Sequence, residues 1–170
     1  MPTPAKKPAA TAAAAKSDVT LLLTRDHTEV HALFKQYDKL AEAEAPASDR
    51  QAKAEEICTK LTAHAAAEEE IFYPAAQKAG IESDLLDEAE VEHASAKDLI
   101  AQIRGMAPDE DLYDAKVKVL GEYIDHHVKE EEEEMFPKCR KSKMDLAGLA
   151  KQVAEREAEL MAEAAEEVVS

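Results

Sequence analysis

The chain has 170 residues, rich in Ala, Glu, Lys and Leu, with four glycines and no tryptophan, the composition of an all-helical protein long enough for one sizeable core. Its 37 acidic against 21 basic residues give a formal net charge of −16. Such a surface repels nucleic acid and anionic lipid, and no apolar run approaches the roughly 20 residues that span a bilayer, so neither nucleic acid nor a membrane is an expected partner.

Residues 1–17, MPTPAKKPAATAAAAKS, contain Pro, Ala, Lys and Thr but no large apolar side chain beyond the first Met. A segment of this kind cannot offset its ordering entropy and is expected to be a disordered tail; without a leucine-rich core it is not read as a secretory signal. The first helix begins at Ser17 or Asp18, either of which can cap it. Val19, Leu22, Leu23, Val30, Leu33, Phe34, Tyr37 and Leu40 form its buried stripe. His27 lies inside that stripe, with His31 one turn on at its edge. A loop around Pro46 ends the helix.

The second helix is expected from Ser48 or Asp49, with Ile57, Leu61, His64, Ala65, Glu68 and Phe72 inward. Pro74 disturbs its last turns and Gly80 closes it. A third, from about Ser83, carries Leu86, Ala89, His93, Ala96, Ile100 and Ile103 in a regular rhythm, and exits at Gly105 and Pro108. The fourth begins near Asp109 and turns Leu112, Leu120, Tyr123, His127, Glu131 and Glu134 inward before Pro137. Residues 143–168 form a last amphipathic segment, with Leu146, Leu149, Val153, Leu160 and Met161 towards a partner surface. The fold expected is an antiparallel up-down-up-down four-helix bundle over residues 18–140, with residues 141–170 as a C-terminal helix packing on it.

One stretch occurs twice. His64-Ala-Ala-Ala-Glu68 and His127-Val-Lys-Glu-Glu131 each precede an apolar-aromatic pair and a proline, Pro74 or Pro137. Residues at i and i+4 stack on one helix face, so each His-Glu pair can hold one metal ion or reach across two. With His27 and His93, the four main helices place four imidazoles and two carboxylates, Glu68 and Glu131, on their apolar faces. A lone inward histidine is usually a hydrogen-bonded core residue, but an unpaired buried carboxylate is costly. Two carboxylates and four imidazoles with no obvious cationic partner are most simply neutralised by bound metal. Imidazole and carboxylate without thiolate suit Fe, Mn or Zn, and the number of ligands suits two ions, with iron the expected occupant.

These residues, H…HxxxE…H…HxxxE with a proline after each pair, resemble the hemerythrin-like HHE cation-binding domain from about Asp18 to Pro137. The resemblance implies a non-haem centre of two Fe ions, oxo- or hydroxo-bridged, in a four-helix bundle. It assigns His27, His64, His93 and His127 to the irons and makes Glu68 and Glu131 bridges. Two departures stand out. Oxygen-carrying hemerythrins have HxxxH on the third helix, where this chain has Lys97 after His93, and an aspartate where it has Glu131. His31 and Tyr123, each one turn from a candidate ligand, are the residues that would fill the gap.

His126 points away from the inner face, and the acidic run 130–134 is mostly solvated. The single ExxH, Glu90 to His93, is weaker than the paired motif of ferritin-like sites. Cys58 and Cys139 form no CxxC and no disulfide framework, which fits a reduced, cytoplasmic setting and gives them no redox role. The expected function is binding or sensing of O2 or a related small oxidant. The alternatives are catalase-like turnover of hydrogen peroxide, turnover of NO, or iron handling and storage. O2, peroxide and NO are the expected small-molecule partners.

Overall fold

The computed structural model describes residues 18–170, and the expectation of a tail over 1–17 lies outside the described residues. Nearly all of the described chain is helical. The order is α1 (Val19–Glu42), α2 (Ala47–Ala67), a π turn π1 (Glu68–Phe72), α3 (Tyr73–Lys78), α4 (Ser83–Arg104), α5 (Tyr113–Glu130), a second π turn π2 (Glu131–Met135), α6 (Phe136–Lys141) and α7 (Leu146–Val169). Because α2, π1 and α3 form one continuous rod, and α5, π2 and α6 another, the bundle has four rods in up-down-up-down order, with α7 as an extra helix.

Asp18 caps α1, its carboxylate accepting from the Leu21 amide at 2.9 Å. Gly80, at φ +88°, turns the chain after α3. The fourth rod starts later than its sequence suggests, at Tyr113, which leaves Leu112 60 % exposed. Glu134 is also exposed rather than inward.

The two π turns occupy equivalent places. In a regular helix the Pro74 ring would strike the carbonyl of Glu70, and the Pro137 ring that of Glu133. The helix avoids this by widening one turn, so that the Tyr73 amide bonds the Glu68 carbonyl and the Phe136 amide bonds the Glu131 carbonyl. The widened turn delays the helical phase by one residue. Phe72 and Tyr73 are therefore both buried, as are Met135 and Phe136.

The apolar core is split in two. One part, with Leu23, Phe72, Phe136 and Ala76, takes in Leu149, Ala150 and Val153 from α7. The other, with Val30, Tyr37, Ile57, Leu61, Ile100 and Leu120, fills the opposite end. Each fully buried large side chain contributes about 1.5–3 kcal/mol. At the far end Asp114 accepts from the Tyr37 hydroxyl at 2.5 Å and from Arg50 at 2.7 and 2.8 Å, tying three rods together. The inward histidines and glutamates form the polar layer between the two apolar parts. The helix α7 packs on α1, α2 and π1, one side of the bundle. No helix among the described residues is long and apolar enough to cross a membrane.

Candidate metal centre

Six side chains from all four rods meet in the polar layer: His27 on α1, His64 and Glu68 on the second rod, His93 on α4, and His127 and Glu131 on the fourth. All six are buried, Glu68 at 0 % and Glu131 at 1 % exposure. Two histidine pairs face each other. His27 and His64 have ring centroids 5.0 Å apart, and His93 and His127 have theirs 4.7 Å apart, with Nε2 atoms 3.1 Å apart.

Each glutamate reaches both pairs. Glu68 Oε1 is 2.8 Å from His64 Nε2 and 3.7 Å from His93 Nε2. Glu131 Oε1 is 2.5 Å from His127 Nε2 and 3.8 Å from His27 Nε2. Two groups of candidate ligand atoms lie within 4.8 Å of one another: Glu68, His93, His127 and Glu131, and His27, His64 and Glu131.

Behind this layer every histidine turns Nδ1 towards a carboxylate. His64 Nδ1 lies 3.1 Å from Asp26, and His127 Nδ1 3.0 Å from Glu92. His27 Nδ1 lies 3.0 Å from Glu132, and His93 Nδ1 3.4 Å from Glu69. The pattern follows a pseudo-twofold rule. The residue before each histidine of α1 and α4 serves the HxxxE histidine, and the residue after each HxxxE glutamate serves the histidine of α1 or α4. These approaches turn all four Nε2 atoms inward, and for His27, His64 and His127 they are hydrogen bonds that orient the ring.

The electrostatics follow the same pairing. Burial opposes charge on His64, but Glu68, Asp26 and Glu157 outweigh it and hold the imidazolium well above its ordinary range. Burial likewise opposes charge on His127, and Glu131 and Glu92 push it up to about 11. Burial and then the charge of His64 lower His27; burial lowers His93, with His127 adding to it and Glu68 opposing. Burial alone would raise Glu68, yet His64 holds its carboxyl well below the usual range. Burial and then the nearby Glu68 raise Glu131 to about 8.

These compensations are incomplete. His27 Nε2, His64 Nε2 and all four carboxylate oxygens of Glu68 and Glu131 are buried without a well-aligned hydrogen bond, although Glu68 Oε1 and Glu131 Oε1 lie close to the imidazoles of His64 and His127. Poorly satisfied buried polar atoms are costly, and six aimed at one small space fit a bound cation.

Two candidates from the sequence lie outside this layer. The His31 side chain is 51 % exposed, with Nδ1 3.3 Å from Asp125, and Tyr123 is 49 % exposed at the rim. Both sit one turn from an inward histidine, on partly exposed stretches of their rods. Lys97 is also outside, bonding Glu69 at 2.6 and 2.7 Å. The phenol in the layer is Tyr73, whose hydroxyl is 3.2 Å from His93 Nε2 and 3.4 Å from His127 Nε2. Burial and then the charges of Glu131 and Glu68 raise its pKa well above the ordinary phenol. Its counterpart on the fourth rod is Phe136, stacked on His27 with centroids 5.9 Å apart and ring planes 7° from parallel. The aromatic pair before Pro74 was the signal for Tyr73. The phase shift at π1, which brings it inward, was not readable from α-helical spacing.

A partly open cavity of about 40 Å³ adjoins the four imidazoles; its surface is mainly apolar, from Val30, Leu61, Ala96, Ile100 and Ile124, and Tyr123 and Lys97 stand at its edge. The cysteines take no part. Both are free and buried in the apolar clusters, where burial pushes their thiols up to about 11.

Comparison with known proteins agrees with this geometry. The structure is similar to that of a hemerythrin HHE cation-binding domain-containing protein from Mycobacterium kansasii, with a TM-score of 0.74 at 23 % identity, covering 90 % of this chain and 93 % of that one. The chain is 30 % identical over 127 residues to a protein named DNA nickase from Nostoc, a match covering 74 % of this chain but only 35 % of that relative. Residues 18–139 match the model of the hemerythrin HHE cation-binding domain, and the chain belongs to that family.

Proposed function

We propose that this bundle is a non-haem di-iron protein that binds O2 or a related small oxidant. His27 and His64 would hold one ion, His93 and His127 the other, with Glu68 and Glu131 shared between them. The observation that carries this reading is the set of poorly satisfied nitrogens and carboxylate oxygens converging in one buried layer. Imidazole and carboxylate donors without thiolate suit iron, and a bound iron pair would supply Lewis acidity and reversible electron transfer towards oxygen species.

The chain's own residues support the choice of ligand. The mainly apolar lining of the cavity and its volume of about 40 Å³ favour a small neutral molecule. The carboxylates behind the rings hold each Nε2 in place, and the two apolar clusters keep bulk water out.

Tyr73 favours a second reading, turnover of hydrogen peroxide. Its phenol sits against the His93/His127 pair and can donate a hydrogen bond or a proton to a small molecule there. The name of the Nostoc relative describes that longer protein, of which this chain spans about a third. The acidic balance of the present chain opposes contact with a phosphate backbone.

Metal analysis with an optical spectrum, taken before and after O2 and then peroxide, tests both readings. Two irons per chain and near-ultraviolet bands that respond reversibly to O2 support binding, and sustained gas evolution from peroxide supports turnover. A protein that takes up no iron, or many ions per chain, contradicts the proposal.

A further inference from the structure

The layer is nearly twofold, but α7 breaks the symmetry. It packs mainly on α1, α2 and π1, beside the half of the site that holds His27 and His64. Its buried face descends through Leu149 and Val153, and the next inward position on that stripe is Glu157. Instead of an apolar side chain, the helix places there a carboxyl whose side chain is only 17 % exposed.

Glu157 Oε1 is 3.5 Å from His64 Nδ1 and has no hydrogen-bond partner of its own. Asp26, Glu157 and the imidazole of His64 bring their ligand-type atoms within 4.8 Å of one another. The other three histidines find the carboxylates behind them within the four rods. His64 alone has one from α7 as well. A half-buried carboxyl at a helix-packing position is costly compared with an apolar residue, and that cost is offset only through His64 and Asp26.

We propose that Glu157 is a positioning residue for His64, through which the C-terminal helix becomes part of the metal centre. It closes the side of the imidazole that Asp26 leaves open, so the ring cannot swing its Nε2 out of the layer. The effect falls on the His27/His64 position, since the imidazole that Glu157 meets is that of His64. This inference rests on the reading of the layer as a two-ion centre.

Titration of the full-length metal-free protein with Co2+, followed by its visible absorption, tests it. The wild type is expected to bind two equivalents. In Glu157→Ala one equivalent weakens by about 10–100-fold and the other is unchanged, as expected when support behind a ligand is lost. Glu157→Gln, which keeps an oxygen of similar size beside the ring without the charge, returns to within about threefold of wild type. Val153→Ala loosens the packing of α7 and lowers Tm without changing the isotherm.

A Glu157→Ala isotherm that superimposes on the wild type overturns the proposal. So does an equal weakening of both equivalents, or the same weakening in Val153→Ala, which would make the role one of packing. A wild type that does not bind two equivalents refutes the two-ion reading itself, in an arm that does not involve Glu157.

Discussion

The two halves of the candidate centre share one plan and differ in what closes them. In each, an HxxxE histidine is backed by an acid preceding a histidine of the neighbouring helix, Asp26 for His64 and Glu92 for His127. In each, the glutamate opens a π turn forced by a proline six residues later. The His27/His64 half is then capped by the phenyl ring of Phe136 and flanked by α7. The His93/His127 half is capped by the phenol of Tyr73. The repeated parts set where ligands stand, and the unrepeated parts set what each half can do. By this comparison the Phe136 side is the apolar, more tightly held position, and the Tyr73 side is the one equipped to meet a polar small molecule.

The largest test removes what the halves share. Glu131→Ala deletes a carboxylate that reaches both pairs and is expected to reduce iron from two per chain to none, measured by metal analysis of protein that retains its helical circular dichroism. Phe136→Ala strips the cap from one half only. Loss of this fully buried ring is expected to cost about 3–5 kcal/mol by chemical denaturation.

Asp26→Ala and Glu92→Ala then separate the halves. Each is expected to weaken one equivalent of metal by about 10–100-fold, Asp26 at the His27/His64 position and Glu92 at the other. A double variant that merely sums the two would confirm their independence, and strong non-additivity would argue against two distinguishable positions.

A smaller effect is the pH dependence of the metal-free protein. Glu131 binds its proton more tightly in the fold than in the unfolded chain, so its stabilisation is complete below about pH 4.5 and is lost as pH rises through about 8. His127 acts in the same sense between its ordinary value near 6.5 and about 11. The two are a contacting pair whose protons are coupled, and between pH 6.5 and 8 the Tm of metal-free protein is expected to fall as the pair loses them. With metal bound, protons compete with the cation and the slope should reverse. A Tm that rises with pH in the metal-free protein would contradict these assignments.

The smallest change makes the halves alike. Tyr73→Phe is expected to leave two irons bound and to alter stability by only about 1 kcal/mol, while changing the optical response to peroxide. An unchanged response would deny the phenol any part in chemistry at that half.

Much of the fold was legible in the sequence because apolar residues recur at three- and four-residue spacing, and short Pro- and Gly-bearing loops leave few ways to join four rods. The six residues of the layer stood out for the same reason: His27, His64, His93 and His127 interrupt apolar stripes, and Glu68 and Glu131 follow the HxxxE histidines by one turn. What escaped depends on phase and on contacts across helices. Tyr73 faces inward only because π1 adds a residue to its turn, and regular spacing assigned that place to Phe72 alone. Glu69 and Glu132 were hidden in acidic runs, where nothing local says which carboxylate turns towards a ring. Asp26 and Glu92 each serve a histidine on another helix rather than the one beside them. His31 and Tyr123, the lesser candidates, stand one turn from an inward histidine and about half exposed, outside the buried layer.

The central claim is that two cations sit in one layer, each between its own pair of histidines and both touching the shared glutamates. Anomalous diffraction at the iron edge, from crystals of iron-loaded protein, tests it most directly. Two peaks are expected, one beside His27 and His64 and one beside His93 and His127, with Glu68 and Glu131 between them. A single peak, or metal bound away from these six side chains, would contradict it.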